Sequence, residues 1–185
     1  MKKLLFVFLL TGFALSCVVS QQSPQQTSQK AAELTFLFTR QSGSASNQFA
    51  VWVEDAQGKH IKTLYATRWT ANGGWSRRPT SIPIWVRQSD LSNMSKAQID
   101  AVSGATPRTG PLTYVWDGTD SRGAAVPAGN YELILEGTLR WEDQVLYRIP
   151  IRPGQGPSVP QARAEYTGNR TDERSMISEV TVRVF

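Results

Sequence analysis

Trp116-Asp117-Gly118-Thr119-Asp120-Ser121-Arg122-Gly123, running on to Val126-Pro127-Ala128-Gly129-Asn130-Tyr131, settles the class of fold. Asp117-Gly118 and Arg122-Gly123 carry turn chemistry, because glycine takes positive φ at little cost and aspartate bonds its own backbone two residues on. Pro127 and Gly129 shape the approach to the next extended segment. Trp116 and Tyr131 then offer large apolar faces to bury across the strand pair that the turns join in a hairpin. The two aspartates also admit a calcium loop. An EF-hand loop starting at Asp117 needs acidic or amide ligands at Thr119 and Ser121 and a glutamate at Ala128, so the residues favour the structural role.

Outward from this stretch the recurring signal is period two. Leu34, Phe36 and Phe38 alternate with Thr35, Leu37 and Thr39, and Phe49, Val51 and Val53 alternate with Ala50, Trp52 and Glu54. An Asp55-Ala56-Gln57-Gly58 turn leads into His60 to Thr67 and makes a second hairpin. Ser81 to Arg87, Pro111 to Trp116, Tyr131 to Arg140, Gln144 to Arg152 and Ser178 to Phe185 read as further strands. The pattern implies an all-β fold, an antiparallel Ig-like β-sandwich of about seven to eight strands. One short helix interrupts it. Ser95 caps Lys96 to Val102 with Gln98 in the capping-box position, and Gly104 ends the turn.

The chain has 185 residues, 40% apolar and 19% charged, which fits one soluble globular domain with its own core. Its single cysteine and single histidine exclude a His/Cys zinc cluster, a thioredoxin-type pair and an internal disulfide. His60 matches no serine and acid at a hydrolase spacing and reads as an ordinary strand residue. A net charge of +5 raises nucleic acid as a partner until the charge is located. Lys2 and Lys3 precede the apolar run Leu4 to Leu15, too short to span a bilayer and suited to a secretory signal. Residues 1–20 are therefore expected to be removed after Ser20, leaving a net charge of +3 and no membrane span. Cleavage after Ser16 is the alternative, through an imperfect lipoprotein box that would leave Cys17 to carry lipid. Residues 21–31, rich in Gln and Ser, read as a disordered tether, and residues 32–185 as the domain. Beyond Arg77-Arg78 the basic residues form no cluster in sequence, so nucleic acid is not expected as a partner. A monomer outside the inner membrane is.

The Trp116 to Tyr131 stretch resembles the Trp-Asp-Gly, Pro-x-Gly-x-Tyr segment of the Ig-like domain in flagellar hook-capping proteins. A second motif, Asp100-Ala101-Val102-Ser103-Gly104-Ala105-Thr106, resembles the flavin-attachment sequence of bacterial FMN-binding domains. Every specified position is present, against a chance match of about one in ten thousand for a chain this long. In that family a dedicated FMN transferase splits FAD and joins FMN through its phosphate to the final hydroxyl, here Thr106. The resemblance casts Asp100, Ser103, Gly104 and Ala105 as the rest of the acceptor motif. The residue types suit a modification site. The acceptor hydroxyl must be presented on accessible backbone, and Gly104 and Ala105 leave little bulk to obstruct a transferase. Thr106 is a poor nucleophile unaided, so base and metal must come from the modifying enzyme. Read locally, the same residues would also serve as a plain helix-ending turn.

The combination is similar to a family of predicted periplasmic bacterial proteins of unknown function, which occurs alongside FMN transferases and PepSY-type membrane reductases. By that likeness the protein is a covalently flavinylated electron carrier, not a stand-alone enzyme, with FMN as cofactor and a reductase or other redox protein as partner. Among the six tryptophans, Trp52, Trp85 and Trp116 fall in strands and read as core. Trp69 and Trp75, in the Gly-rich stretch Thr70 to Arg78, are candidates to stack on the flavin ring, with Arg77 or Arg78 facing its phosphate. A loop folded back on the sandwich would bury the same indoles. The rival functional readings are a cofactor-free structural or adhesive module and an exported protein that binds sugars or aromatic ligands.

Overall fold

The computed structural model describes residues 30–43, 45–169 and 174–185. The expected signal, Cys17 and nearly all of the tether lie outside the described residues. Nine strands are described: β1 Ala32–Phe38, β2 Gln48–Asp55, β3 His60–Thr67, β4 Ser103–Gly104, β5 Gly110–Trp116, β6 Tyr131–Arg140, β7 Asp143–Ile151, β8 Ala164–Thr167 and β9 Ile177–Val184. They form a three-stranded sheet, β5-β1-β9, facing a six-stranded one, β4-β3-β2-β6-β7-β8. Every pairing is antiparallel except β3 with β4. The fold is an all-β sandwich, as the period-two pattern implies.

The main core lies between the sheets. Leu34, Phe36 and Phe38 of β1 meet Phe49, Val51 and Val53 of β2 and Leu133 and Leu135 of β6, all fully buried. A second apolar layer covers the outer face of the larger sheet. There Ala50, Trp52 and Ile134 pack against Ala71, Ile82, Trp85 and Leu91 from the long excursion between β3 and β5. Strand β2 is consequently buried on both faces, so its Phe-Ala-Val-Trp-Val run has no solvent side.

That excursion carries a π-type turn Thr70–Gly74, α1 Trp75–Arg77, α2 Pro83–Gln88 and α3 Lys96–Val102. It corrects the strand expected over Ser81 to Arg87. Ile82, Ile84 and Val86 alternate and are β-branched, but Pro83 sits at the first helical position and Ile82 turns the chain at φ +40°. The buried Glu136 carboxylate of β6 accepts the backbone N–H groups of Ile84 (3.0 Å) and Trp85 (2.8 Å), which supplies the partners the helix start needs. Thr138 Oγ1 accepts from Ile82 N–H. Trp85 is core as expected, but on a helix, with its indole N–H donating to Thr63. The Gly-rich Thr70 to Arg78 stretch coils as well, as two short helical turns broken at Asn72 and Gly73 (φ +89°). Helix α3 has the expected reciprocal Ser95–Gln98 capping box.

The Trp116 to Tyr131 stretch is not a hairpin. Strand β5 pairs with β1 and β6 pairs with β2 and β7, so residues 117–130 cross from one sheet to the other. Trp116 and Tyr131 still meet, with ring centroids 5.1 Å apart, but across the sandwich instead of along one sheet. Gly118 (φ +74°) and Gly123 (φ +81°) make the turns. Register fixes two ends of the sandwich. Trp116, Asp55, His60 and Tyr131 lie at one; Phe38, Gly110, Thr67, Gly104 and Arg140 lie at the other, which carries the Asp100 to Thr106 motif.

Candidate functional site

The motif enters the fold as a strand. After α3, Ser103 turns extended (φ −113°, ψ 143°), and Ser103–Gly104 pairs in parallel with Ala66–Thr67 of β3. Gly104 is needed for close approach and not for a left-handed turn: a Cβ there would lie 2.7 Å from Cε2 of Tyr65. The Tyr65 ring stacks on Phe49 and leans on Tyr114, each at 5.1 Å between centroids. Its hydroxyl donates to the Ala105 carbonyl at 2.7 Å. Burial pushes the Tyr65 phenol up to about 12, with Arg68 pulling the other way, so it remains a donor at any physiological pH. Held this way, Ala105 is exposed and Thr106 half-buried.

Thr106 lines an open cleft of about 320 Å³ together with Arg40, Asn47, Gln48, Trp69 and Arg78. Trp69 is 40% exposed, and the guanidinium carbons of Arg78 and Arg77 lie 5.1 and 5.8 Å from its ring centre. Gly74 admits both the backbone and the indole of Trp69, since a Cβ there would strike the Trp69 carbonyl oxygen and lie 2.5 Å from its Cε3. Behind the cleft runs a buried polar chain. Gln48 Oε1 accepts from Thr67 (2.7 Å) and Thr70 (2.9 Å), Thr70 meets Ser81 (2.6 Å), and Ser81 accepts from Arg78 Nη2 (3.2 Å). The chain ties Arg78 to the end of the sheet, while its buried Nε has no hydrogen-bond partner. Burial lowers the Arg78 pKa from its ordinary value, though a guanidinium keeps its charge. Opposite, Asn47 (φ +65°) closes the loop after β1 with two hydrogen bonds to the backbone of Gln41.

Thr106, Trp69 and Arg78 are thus brought together, with Arg77 beside them. Trp75 is not among the cleft-lining residues; it packs against the outer apolar layer. Asp100 is exposed in the last turn of α3, and Ser103 is half-buried with its Oγ unpartnered. Tyr65 and Arg40 escaped the sequence reading: nothing in a strand tyrosine announces a bond to a loop forty residues away. No His, Asp or Glu lines the cleft among the described residues, so Thr106 has no base of its own there. His60 lies at the opposite end, bonded to Thr63 at 2.8 Å, and burial lowers its pKa to about 4. The wider hollow of about 530 Å³ at that end is lined by Tyr131, Asp120 and Asp55. Its carboxylates are occupied. Asp120 accepts from the backbones of Arg122 and Ala124, and Asp55 from those of Gln57 and Lys59.

The arrangement brings together cationic donors, one aromatic face and an accessible hydroxyl. Among the described residues no helix is long and apolar enough to cross a membrane. No curated protein and no solved structure matches the chain. The family model of DUF2271, described as a predicted periplasmic protein, matches residues 31–169. That span covers most of the chain, which therefore belongs to the DUF2271 family and is a periplasmic or exported β-sandwich protein.

Proposed function

We propose that this chain is an exported electron carrier, with FMN joined through its phosphate to Thr106 by a separate FMN transferase and a PepSY-type membrane reductase or another redox protein as its partner. One observation carries the reading: the acceptor hydroxyl of the Asp100 to Thr106 motif shares a cleft with Trp69 and Arg78. The likeness of that motif to flavin-attachment sequences supports it independently. The residues fit the group. A phosphodiester keeps one negative charge, and Arg78 has a buried Nε without a partner. The exposed Trp69 indole suits ring stacking.

In the transfer step the Thr106 oxygen attacks the FMN-side phosphorus of FAD. The pyrophosphate bond breaks, AMP leaves, and the hydroxyl proton passes to a base on the transferase. Once bound, FMN supplies a centre that takes up two electrons and releases them singly. The protein's own part is positional. Tyr65 fixes the Ala105 carbonyl, Gly104 lets the loop lie against the ring, and Arg78 and Trp69 receive what Thr106 carries.

Coexpression with an FMN transferase, read by intact mass and in-gel flavin fluorescence, tests this. The expected product carries one FMN and loses it in Thr106→Ala. An unmodified chain, under conditions that flavinylate a known acceptor, would overturn the reading and return the chain to a cofactor-free structural or adhesive module.

A further inference from the structure

We propose that the acceptor end is the docking face for a redox protein whose contact surface is acidic; the identity of the partner as a redox protein rests on the electron-carrier reading above. The first observation is charge. Arg40 and Arg78 line the cleft, Arg77 lies over Trp69, Arg68 precedes it, and Arg108 follows Thr106 by two residues. The backbone N–H of Arg40 donates to Thr109, which brings these last two segments together. None of these arginines is ion-paired among the described residues, and no carboxylate there lines the cleft. A phosphodiester on Thr106 would neutralise one of them and leave the rest.

The opposite end differs. Lys62 pairs with Asp117 at 2.8 Å, Arg122 with Asp120 at 3.4 Å, and Arg148 with both Glu54 and Glu132 at 3.0 Å. Three basic side chains there are thus held by carboxylates, whereas none of the five arginines around the cleft is, and these would steer an acidic surface toward it.

The second observation is Trp141. It occupies the tip of the β6–β7 hairpin at φ +49°, a backbone region where glycine or asparagine is usual and a bulky residue is strained. The indole recovers little burial for that strain, being 51% exposed. Its backbone N–H donates to the carbonyl of Ala45, a residue of the cleft wall, so Trp141 stands beside the cleft on the same end as Trp69. Exposed tryptophan and unpaired arginine are the residue types that dominate binding energy at protein interfaces.

The test uses the full chain and Thr106→Ala, so that docking is measured whether or not flavin is attached. A plant-type [2Fe–2S] ferredoxin serves as the acidic protein probe and a basic c-type cytochrome as its opposite, with association followed by calorimetry. Expected is binding of the ferredoxin alone, by both proteins, weakening about tenfold between about 20 and 200 mM salt. The double variant Arg68→Glu/Arg108→Glu weakens it about tenfold again, and Lys59→Glu at the other end leaves it unchanged. Trp141→Gly separates interface from fold: it weakens docking while raising Tm by about 2–4 °C as the strain is relieved. No binding of the ferredoxin, equal binding of both probes, or binding indifferent to the arginine reversals would overturn the proposal. Failure of flavinylation with docking intact would instead overturn the function and leave the acidic-partner face standing.

Discussion

The two ends of the sandwich are built from similar materials and resolved differently. Each has a tryptophan, an arginine or lysine, and a threonine in a loop that leaves a strand. At the Trp116 end these groups are satisfied from within. Trp116 is fully buried with its indole N–H donating to the Thr119 carbonyl, and Lys62 bonds both Asp117 oxygens and Thr119. Burial alone would raise the Asp117 carboxyl, but the hydrogen bonds from Lys62 and Thr119 outweigh it and hold it below its ordinary value. At the Thr106 end the corresponding groups are left open: the indole is 40% exposed, a buried guanidinium nitrogen has no partner, and the hydroxyl has no base among the described residues. A conspicuous motif whose polar atoms are all answered inside the chain identifies architecture. One whose polar atoms are left open is where the proposed cofactor would be held.

Breaking each tryptophan in turn gives the largest contrast. Trp116→Ala empties the contact with Tyr131 and should cost about 3–5 kcal/mol in urea denaturation, with any protein that still folds retaining its capacity for flavinylation. Trp69→Ala removes an indole that is 40% exposed and should cost under about 1 kcal/mol. Its effect should appear instead in the fluorescence and exchange protection of the loaded protein. Equal losses of stability at the two sites would end the distinction between them.

The excursion that carries the acceptor loop is fastened to the sheet through Glu136, which gives the fastening a pH dependence. Burial raises this carboxyl from 4.5 to about 7, against the pull of the Trp85 and Ile84 N–H groups and of Arg87 and Arg148. The folded state therefore holds the proton more tightly than the unfolded chain does. The resulting stability is fully present below pH 4.5 and is lost as pH rises through about 7. At about 1.4 kcal/mol per unit, the stability of the native protein relative to Glu136→Gln should fall by about 3 kcal/mol across that window. Denaturation of both proteins over the range measures it. A constant difference would show that the carboxyl is already ionised at low pH and that the fastening does not titrate.

The sandwich is legible because most of its strands have one core face, so Leu34, Phe36 and Phe38 are buried while Thr35 and Leu37 between them are only half-buried. The reading failed where that premise failed. The excursion from Arg68 to Val102 forms a third layer, and its Ile82-Pro83-Ile84-Trp85-Val86 segment alternates for reasons unrelated to a sheet. What makes it helical is a glutamate 52 residues later that accepts from the Ile84 N–H. The hairpin expected after Trp116 failed for a different reason: turn residues specify a reversal but not which sheet the next strand joins. In the site, the acceptor motif is visible as a local pattern, and Trp69 and Arg78 as conspicuous residues at the two ends of a Gly-rich stretch. Their meeting with Arg40 across the cleft, and the hold of Tyr65 on Ala105, depend on β3 and β4 lying side by side. Residues 66 and 103 give no local sign of that pairing.

The finest distinction concerns that hold. If the acceptor loop were only a helix-ending turn, Gly104 would matter for its backbone freedom, yet its φ is not in the left-handed region and alanine would fit the local conformation. Its position is set by the Tyr65 ring, which a Cβ would approach to 2.7 Å. Gly104→Ala should therefore cost about 1–3 kcal/mol through displacement of β4 and slow flavinylation. Tyr65→Phe keeps the ring and removes only the hydroxyl bond to Ala105, a loss of about 1 kcal/mol. Adding Tyr65→Ala to Gly104→Ala opens room for the new methyl, so the glycine substitution should then cost little further. Hydrogen exchange at Thr106 and the rate of flavin transfer follow the loop directly. If Gly104→Ala were as damaging without the ring as with it, the glycine would be serving the turn after all, and the loop would owe its position to α3 alone.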